Sequence, residues 1–227
     1  MLHTILLLIL AIAPGAAIGV YIYYVDPRDR EPSRLIAFSL GCGVLSFFIA
    51  IGIGHLLHNN TNVEQGHVVH QMIRALIFVG LVEEGAKFLF LRGILFYNRN
   101  FNHPFDGIVY SVMVGMGFAI TENIIYVFNG DGGTALVRMF TAVPAHAVFA
   151  IIMGFFLGEA KVFNTSRGLY SVMALGFAAF VHGYYDYFLF LPSIRGLWVQ
   201  AIAALIIVVG LTHFAIKLRK DEIIREE

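Results

Sequence analysis

The run Ala75-Leu-Ile-Phe-Val-Gly-Leu-Val-Glu-Glu-Gly-Ala-Lys-Phe-Leu-Phe90 decides how this chain is read. It is apolar enough for a membrane helix, yet it carries Glu83, Glu84 and Lys87. A charged side chain at the centre of a membrane helix costs roughly 2.5–3.5 kcal/mol on insertion scales. Two adjacent carboxylates are therefore kept for chemistry, for ion handling or for a tight structural pairing. Lys87 follows Glu83 by four residues and Glu84 by three, so on a helix it reaches either one. It neutralises one carboxylate and leaves the second without a local partner.

Outward from this run the composition remains that of a membrane protein. Of the 227 residues 59% are hydrophobic and 13% charged, about half the charge of an ordinary soluble domain. Apolar segments of spanning length are predicted at roughly 2–24, 34–57, 68–92, 104–128, 135–160, 169–190 and 194–216. The expected fold is all-α, a polytopic transmembrane bundle of about seven spans forming a single domain over residues 1–227. No Pro/Ser-rich linker, low-complexity tract or clear repeat divides it. A net charge of zero offers nucleic acid no electrostatic footprint. The single Cys42 excludes an internal disulfide and a Cys-rich zinc site. Ala11-Ile12-Ala13 imitates a cleavage site, but no Lys or Arg precedes the first apolar core and the run continues to Tyr24. An uncleaved first span is expected.

Basic residues orient the bundle. Seven spans place Arg28, Arg30, Arg34, Arg92, Arg99, Lys161, Arg167, Lys217, Arg219, Lys220 and Arg225 on one side, and Arg138 and Arg195 on the other. That asymmetry puts the amino terminus outside and the carboxyl terminus in the cytoplasm.

Further polar residues interrupt the later spans. The fourth opens with Phe105-Asp106-Gly107, where Asp106 is expected as an exposed helix cap, and runs through Gly115, Gly117 and Ala119, small enough for close helix approach. Near its other end stand Glu122 and Asn123. In the fifth, Pro144 is expected to bend the helix beside His146. In the sixth, His182 and Asp186 share one helical face, so the carboxylate can orient the imidazole or join it on a metal. At about 1.5 Å per residue, His146 lies roughly 16 Å from the outer end of its span, His182 about 12 Å, Asp186 about 6 Å, Glu83 about 22 Å and Glu122 about 9 Å. These groups are expected to converge in the outer half of the bilayer. His55, His58, His67 and His70 flank an outer loop and need no special explanation.

Taken together, Glu83-Glu84-Gly-Ala-Lys87, Phe105-Asp106-Gly107, Gly117-Phe-Ala-Ile-Thr-Glu122-Asn123-Ile-Ile-Tyr126, His146 and His182-Gly-Tyr-Tyr-Asp186 resemble the motifs of PrsW-type intramembrane proteases. Asp29-Arg30-Glu31-Pro32 is also similar to that family, whereas Ser111 stands where a glycine would be expected. The family is similar in turn to the CAAX prenyl endopeptidase superfamily, with its Glu-Glu pair, later histidine and His-x-x-x-Asn/Asp motif. The resemblance assigns Glu83 and Glu84 to the first of these motifs, His146 to the second, and His182 with Asp186 to the third. It implies a multi-pass protease of a prokaryotic cytoplasmic membrane. Its substrate would be a membrane-anchored anti-sigma factor, cut first on the extracytoplasmic side during envelope stress.

On that reading Glu83 is the general base, His146 and His182 polarise the carbonyl directly or through a metal, Asp186 orients His182, and Glu84 pairs with Lys87. The two glutamates could exchange roles. Lys87 and Asn123 are the candidate substrate-binding residues. A zinc ion would take His146, His182 and either Asp186 or Glu122, although the His-Glu-x-x-His signature is absent. A metal-free glutamate mechanism uses the same residues. An ion- or proton-coupled transporter would use these groups as a relay, and a structural membrane protein would satisfy each locally.

Overall fold

Among the described residues each apolar run forms a helix, because within lipid the backbone must satisfy its own hydrogen bonds. The computed structural model describes residues 2–25, 30–60, 68–129, 132–163 and 166–189, with Gly210. In order these are α1 (Leu2–Val25), α2 (Ser33–Asn60), α3 (Val68–Ile73), a π-helical segment (Arg74–Leu81), α4 (Val82–Gly93), a 3-10 turn (Leu95–Tyr97), α5 (Pro104–Phe128), α6 (Gly132–Phe140), α7 (Ala142–Val162) and α8 (Arg167–Leu189). No strand occurs among the described residues. Among the described residues four stretches are long and apolar enough to cross a membrane: Thr4–Val25, Ser33–Leu57, Pro104–Phe128 and Leu136–Val162. The span expected at 194–216 lies outside the described residues.

Helix α5 is the axis of the bundle. Every residue from Phe105 to Ala119 is buried, with α1, α2 and α7 packed around it. The small residues expected to permit this do so: Gly115 faces Ala150 and the backbone of His146 on α7, and Gly117 faces the Leu40 backbone on α2. Outward faces stay apolar and exposed, as at Leu6, Val20, Phe48, Leu56, Val172 and Phe180, as lipid contact requires.

Three expectations change. The run at 68–92 is one helical rod, but eight of its residues, Arg74–Leu81, wind as π-helix, a local widening common at functional sites. The fifth span is broken at Thr141 rather than bent at Pro144. Pro144 sits in the first turn of α7, where its missing N–H would have had no intrahelical partner. Asp106 does cap α5, accepting from His103 N at 2.6 Å and Asn102 N at 2.8 Å, but it is buried rather than exposed. Glu31, in the short segment before α2, accepts a hydrogen bond from the Tyr110 hydroxyl of α5. That bond ties the Arg30-Glu31-Pro32 motif to the central helix.

The contact that matters most for the site joins the π segment to α8. A Cβ on Gly80 would lie 2.6 Å from the Ala179 carbonyl oxygen, and one on Gly183 2.6 Å from the Leu76 Cα. Only glycine permits this approach. G183V should therefore lower the thermal midpoint of the purified protein, since overpacking costs about 1–3 kcal/mol. G176A on the same helix, where an added Cβ meets nothing within 4 Å, should leave it unchanged. A G183V protein as stable as the parent would show that these backbones do not touch.

Candidate active site

The glycine contact sets the position of His182, because Gly183 follows it directly. His182 Nδ1 lies 2.8 Å from Glu84 Oε1, and the same oxygen accepts from Lys87 Nζ at 2.6 Å. An ionised carboxylate can only accept, so the proton of this imidazole contact is on Nδ1. Glu84 and Lys87 are 0% and 2% exposed. A buried pair of this kind holds only when both charges are matched and hydrogen-bonded.

Lys87 also reaches across to α7, with Nζ 3.1 Å from His146 Nδ1. An ammonium only donates, so His146 Nδ1 accepts and its proton is on Nε2, which lies 3.1 Å from Glu122 Oε2. The lysine stands 4.0 Å from the Phe118 ring centroid, an added attraction for a desolvated cation. Glu122 pairs in turn with Arg138 of α6. Arg138 Nε also donates to Asn123 Oδ1 at 3.0 Å, and its guanidinium lies 4.2 Å from the Tyr126 ring.

The other side of His182 is different. Its Nε2 faces Asp186 Oδ2 at 3.3 Å and Glu83 Oε2 at 3.8 Å. Two carboxylate oxygens gather at one imidazole nitrogen only with positive charge between them, from a proton or a metal ion. The ring is held flat by Phe149, stacked at 4.5 Å and 17°, and stands perpendicular to His146 at 5.1 Å. Each glutamate has a buried Oε2 without a hydrogen-bond partner, but Glu84 Oε1 accepts from both Lys87 and His182, whereas the Glu83 side chain has only the 3.8 Å approach of His182.

All eight polar residues singled out in the sequence therefore meet: Glu83, Glu84 and Lys87 from α4, Glu122 and Asn123 from α5, His146 from α7, and His182 and Asp186 from α8. Lys87 and Asn123, expected as substrate contacts, bond Glu84 and Arg138 respectively. Sequence reasoning missed Arg138, counted there only as an outer charge. Its isolation on the sparsely charged side of the predicted topology was the available signal.

Glu83, His146 and His182 each offer a ligand atom, all within 4.8 Å of one another. One carboxylate and two imidazoles form a donor set that catalytic zinc accepts, with a fourth position open for water. The orphaned Glu83 oxygen suits that use, so the residues fit a divalent ion. Its carboxylate ligand would be Glu83 rather than the expected Asp186 or Glu122, the latter being committed to Arg138 and His146. Binding through His146 would displace either Lys87 or Glu122 from the ring.

A family model described as PrsW family intramembrane metalloprotease matches residues 31–212. The chain is 34% identical over 178 residues to Protease PrsW of Geobacillus kaustophilus, covering 78% of this chain and 77% of that one. It is 33% identical over 179 residues to Protease PrsW of Bacillus subtilis, covering 78% and 80%. Against Protease PrsW of Clostridioides difficile it is 33% identical over 193 residues, covering 81% and 79%. No solved structure gives a significant match.

The unequal partnering of the two glutamates is measurable in stability. E84A strands Lys87 in the bundle and should cost about 3–5 kcal/mol. E83A removes a carboxylate that holds neither Lys87 nor His182 Nδ1 and should cost less. The double variant E84A/K87M should recover much of the E84A loss in an unfolding titration. Equal losses for E83A and E84A would contradict the assigned pairing.

Proposed function

Because the chain belongs to the PrsW family of intramembrane metalloproteases, we propose that it cleaves a membrane-anchored protein near the extracytoplasmic side of a bacterial cytoplasmic membrane, with Glu83 at the centre of the chemistry. It is a multi-pass membrane peptidase. The observation that carries the site assignment is the contrast within Glu83–Glu84. Glu84 is held through Oε1 by Lys87 and His182, whereas the Glu83 carboxylate, without such anchors, lies within ligand distance of both imidazoles.

Peptide hydrolysis needs a base for water, stabilisation for the oxyanion and an acid for the leaving amine. The Glu83 carboxylate is placed to take a proton from water, and His182 Nε2, which faces it, to donate toward a carbonyl. Glu84 and Glu122 each anchor one imidazole from behind, which fixes ring orientation. Asp186 stands beside the Nε2 of His182 and steadies positive charge there.

The donor set favours zinc, held by Glu83, His146 and His182. When bound, zinc supplies Lewis acidity and lowers the pKa of a bound water to about 7. With the ion in place Glu83 is a ligand; without it Glu83 is the base. Asp186 and Glu84 keep their orienting roles in either case, and Glu122 keeps its own when the ion takes the place of Lys87 at His146.

Seven spans with the amino terminus outside, as read from the sequence, would put the site in the outer half of the bilayer. A cut there suits a single-span substrate with an extracytoplasmic domain. The resemblance noted in the motifs supports an anti-sigma factor as that substrate and site-1 cleavage in an envelope-stress response as its setting.

In proteoliposomes with a membrane-anchored reporter, E83Q, H146A and H182A should remain folded and lose cleavage by about 10²–10⁴-fold. Retained cleavage in E83Q would remove Glu83 from the reaction, and solute uptake by a parent that does not cleave would favour a carrier. Chelation should abolish parental activity and zinc should restore it, with bound metal falling in H146A and H182A by elemental analysis. Full activity in a preparation shown to be metal-free would end the zinc assignment.

A further inference from the structure

Glu122 Oε2 receives both His146 Nε2 and the Arg138 guanidinium, and only the first of these partners belongs to the motifs. We propose that Arg138, carried by the short helix α6, is a positioning residue that sets the orientation of His146 through Glu122. The inference rests on the peptidase reading of the same site and adds to it a residue that acts without touching substrate.

Glu84 already takes the cation of Lys87, so Glu122, at membrane depth, needs a second one. Arg138 supplies it and is fixed there by three groups on one face of α5: the Glu122 carboxylate, Asn123 Oδ1 at 3.0 Å and the Tyr126 ring at 4.2 Å. A planar guanidinium can satisfy all three at once, which a lysine ammonium cannot. Glu122, thus neutralised and immobilised, accepts from His146 Nε2 and leaves Nδ1 for Lys87. The ring is held at both nitrogens.

The geometry also explains α6. Its Leu136, Val137 and Phe140 are exposed, while Arg138 turns inward to α5. Helix α6 is thereby latched over the end of α5 that carries Glu122, and Thr141 links it directly to the start of α7. One short helix both shields the carboxylate and leads into the helix that bears His146.

The test uses the full chain in nanodiscs with R138A, R138Q, R138K, E122Q and R138A/E122Q. Folding is checked by size exclusion and thermal midpoint. R138A should lower kcat by about 10–100-fold with KM changed by less than about threefold. R138K should recover part of the loss, and the double variant should be within about threefold of E122Q alone. Unchanged kcat, a loss confined to KM, or additive losses in the double variant would overturn the proposal. Should R138A fail to fold, R138Q and R138K carry the same comparison.

A readout independent of cleavage separates this proposal from the peptidase reading. In ¹⁵N-histidine spectra of the parent, the proton of His146 should be on Nε2. In R138A the ring should populate a mixture of tautomers. A parent that cleaves nothing yet shows this shift would refute the reaction and sustain the positioning role. An identical His146 signature in parent and R138A would refute the positioning role whatever the cleavage result.

Discussion

One buried lysine serves two adjacent glutamates, and the site follows from that shortage. At 2.6 Å from Glu84 Oε1 and 3.1 Å from His146 Nδ1, Lys87 spends its charge on one carboxylate and its remaining reach on an imidazole. Glu83 is left beside the two histidines with an oxygen that nothing satisfies. A membrane interior makes such an arrangement expensive, which is why it is surrounded by fixed partners. Phe118 faces the ammonium, and Phe149 stacks on His182.

The rest of the bundle serves to hold these groups at one level. Glycines at 80 and 183 let the π segment and α8 touch along their backbones. The buried central helix α5 carries Glu122 to the far side of His146. Helix α6 closes the network with a guanidinium. The network runs from Asp186 to Asn123 and draws one or more side chains from each of α4, α5, α6, α7 and α8.

Much of this was legible beforehand, for identifiable reasons. Helices could be read because spanning a bilayer demands long apolar runs, and the polar residues stood out because lipid makes them costly. Helical spacing paired Lys87 with the glutamates and His182 with Asp186. It could not choose between Glu83 and Glu84, since i,i+3 and i,i+4 are equally within reach. That choice was made by His182, 98 positions away from Glu84. The π winding was also hidden, because its residues have the same apolar character as an α-helix. Pro144 misled because a proline bends a helix only beyond the first turn, and the break at Thr141 has no strong sequence mark. Arg138 went unread because a lone charge at a span end is ordinarily solvated.

The central claim is that Glu84 is held by Lys87 and His182 while Glu83 remains open. Treating the membrane-embedded protein with a hydrophobic carbodiimide and mapping the modified carboxyls by peptide mass spectrometry tests it most directly. The account predicts adduct on Glu83 and protection of Glu84. Preferential modification of Glu84, or equal modification of the two, would contradict it.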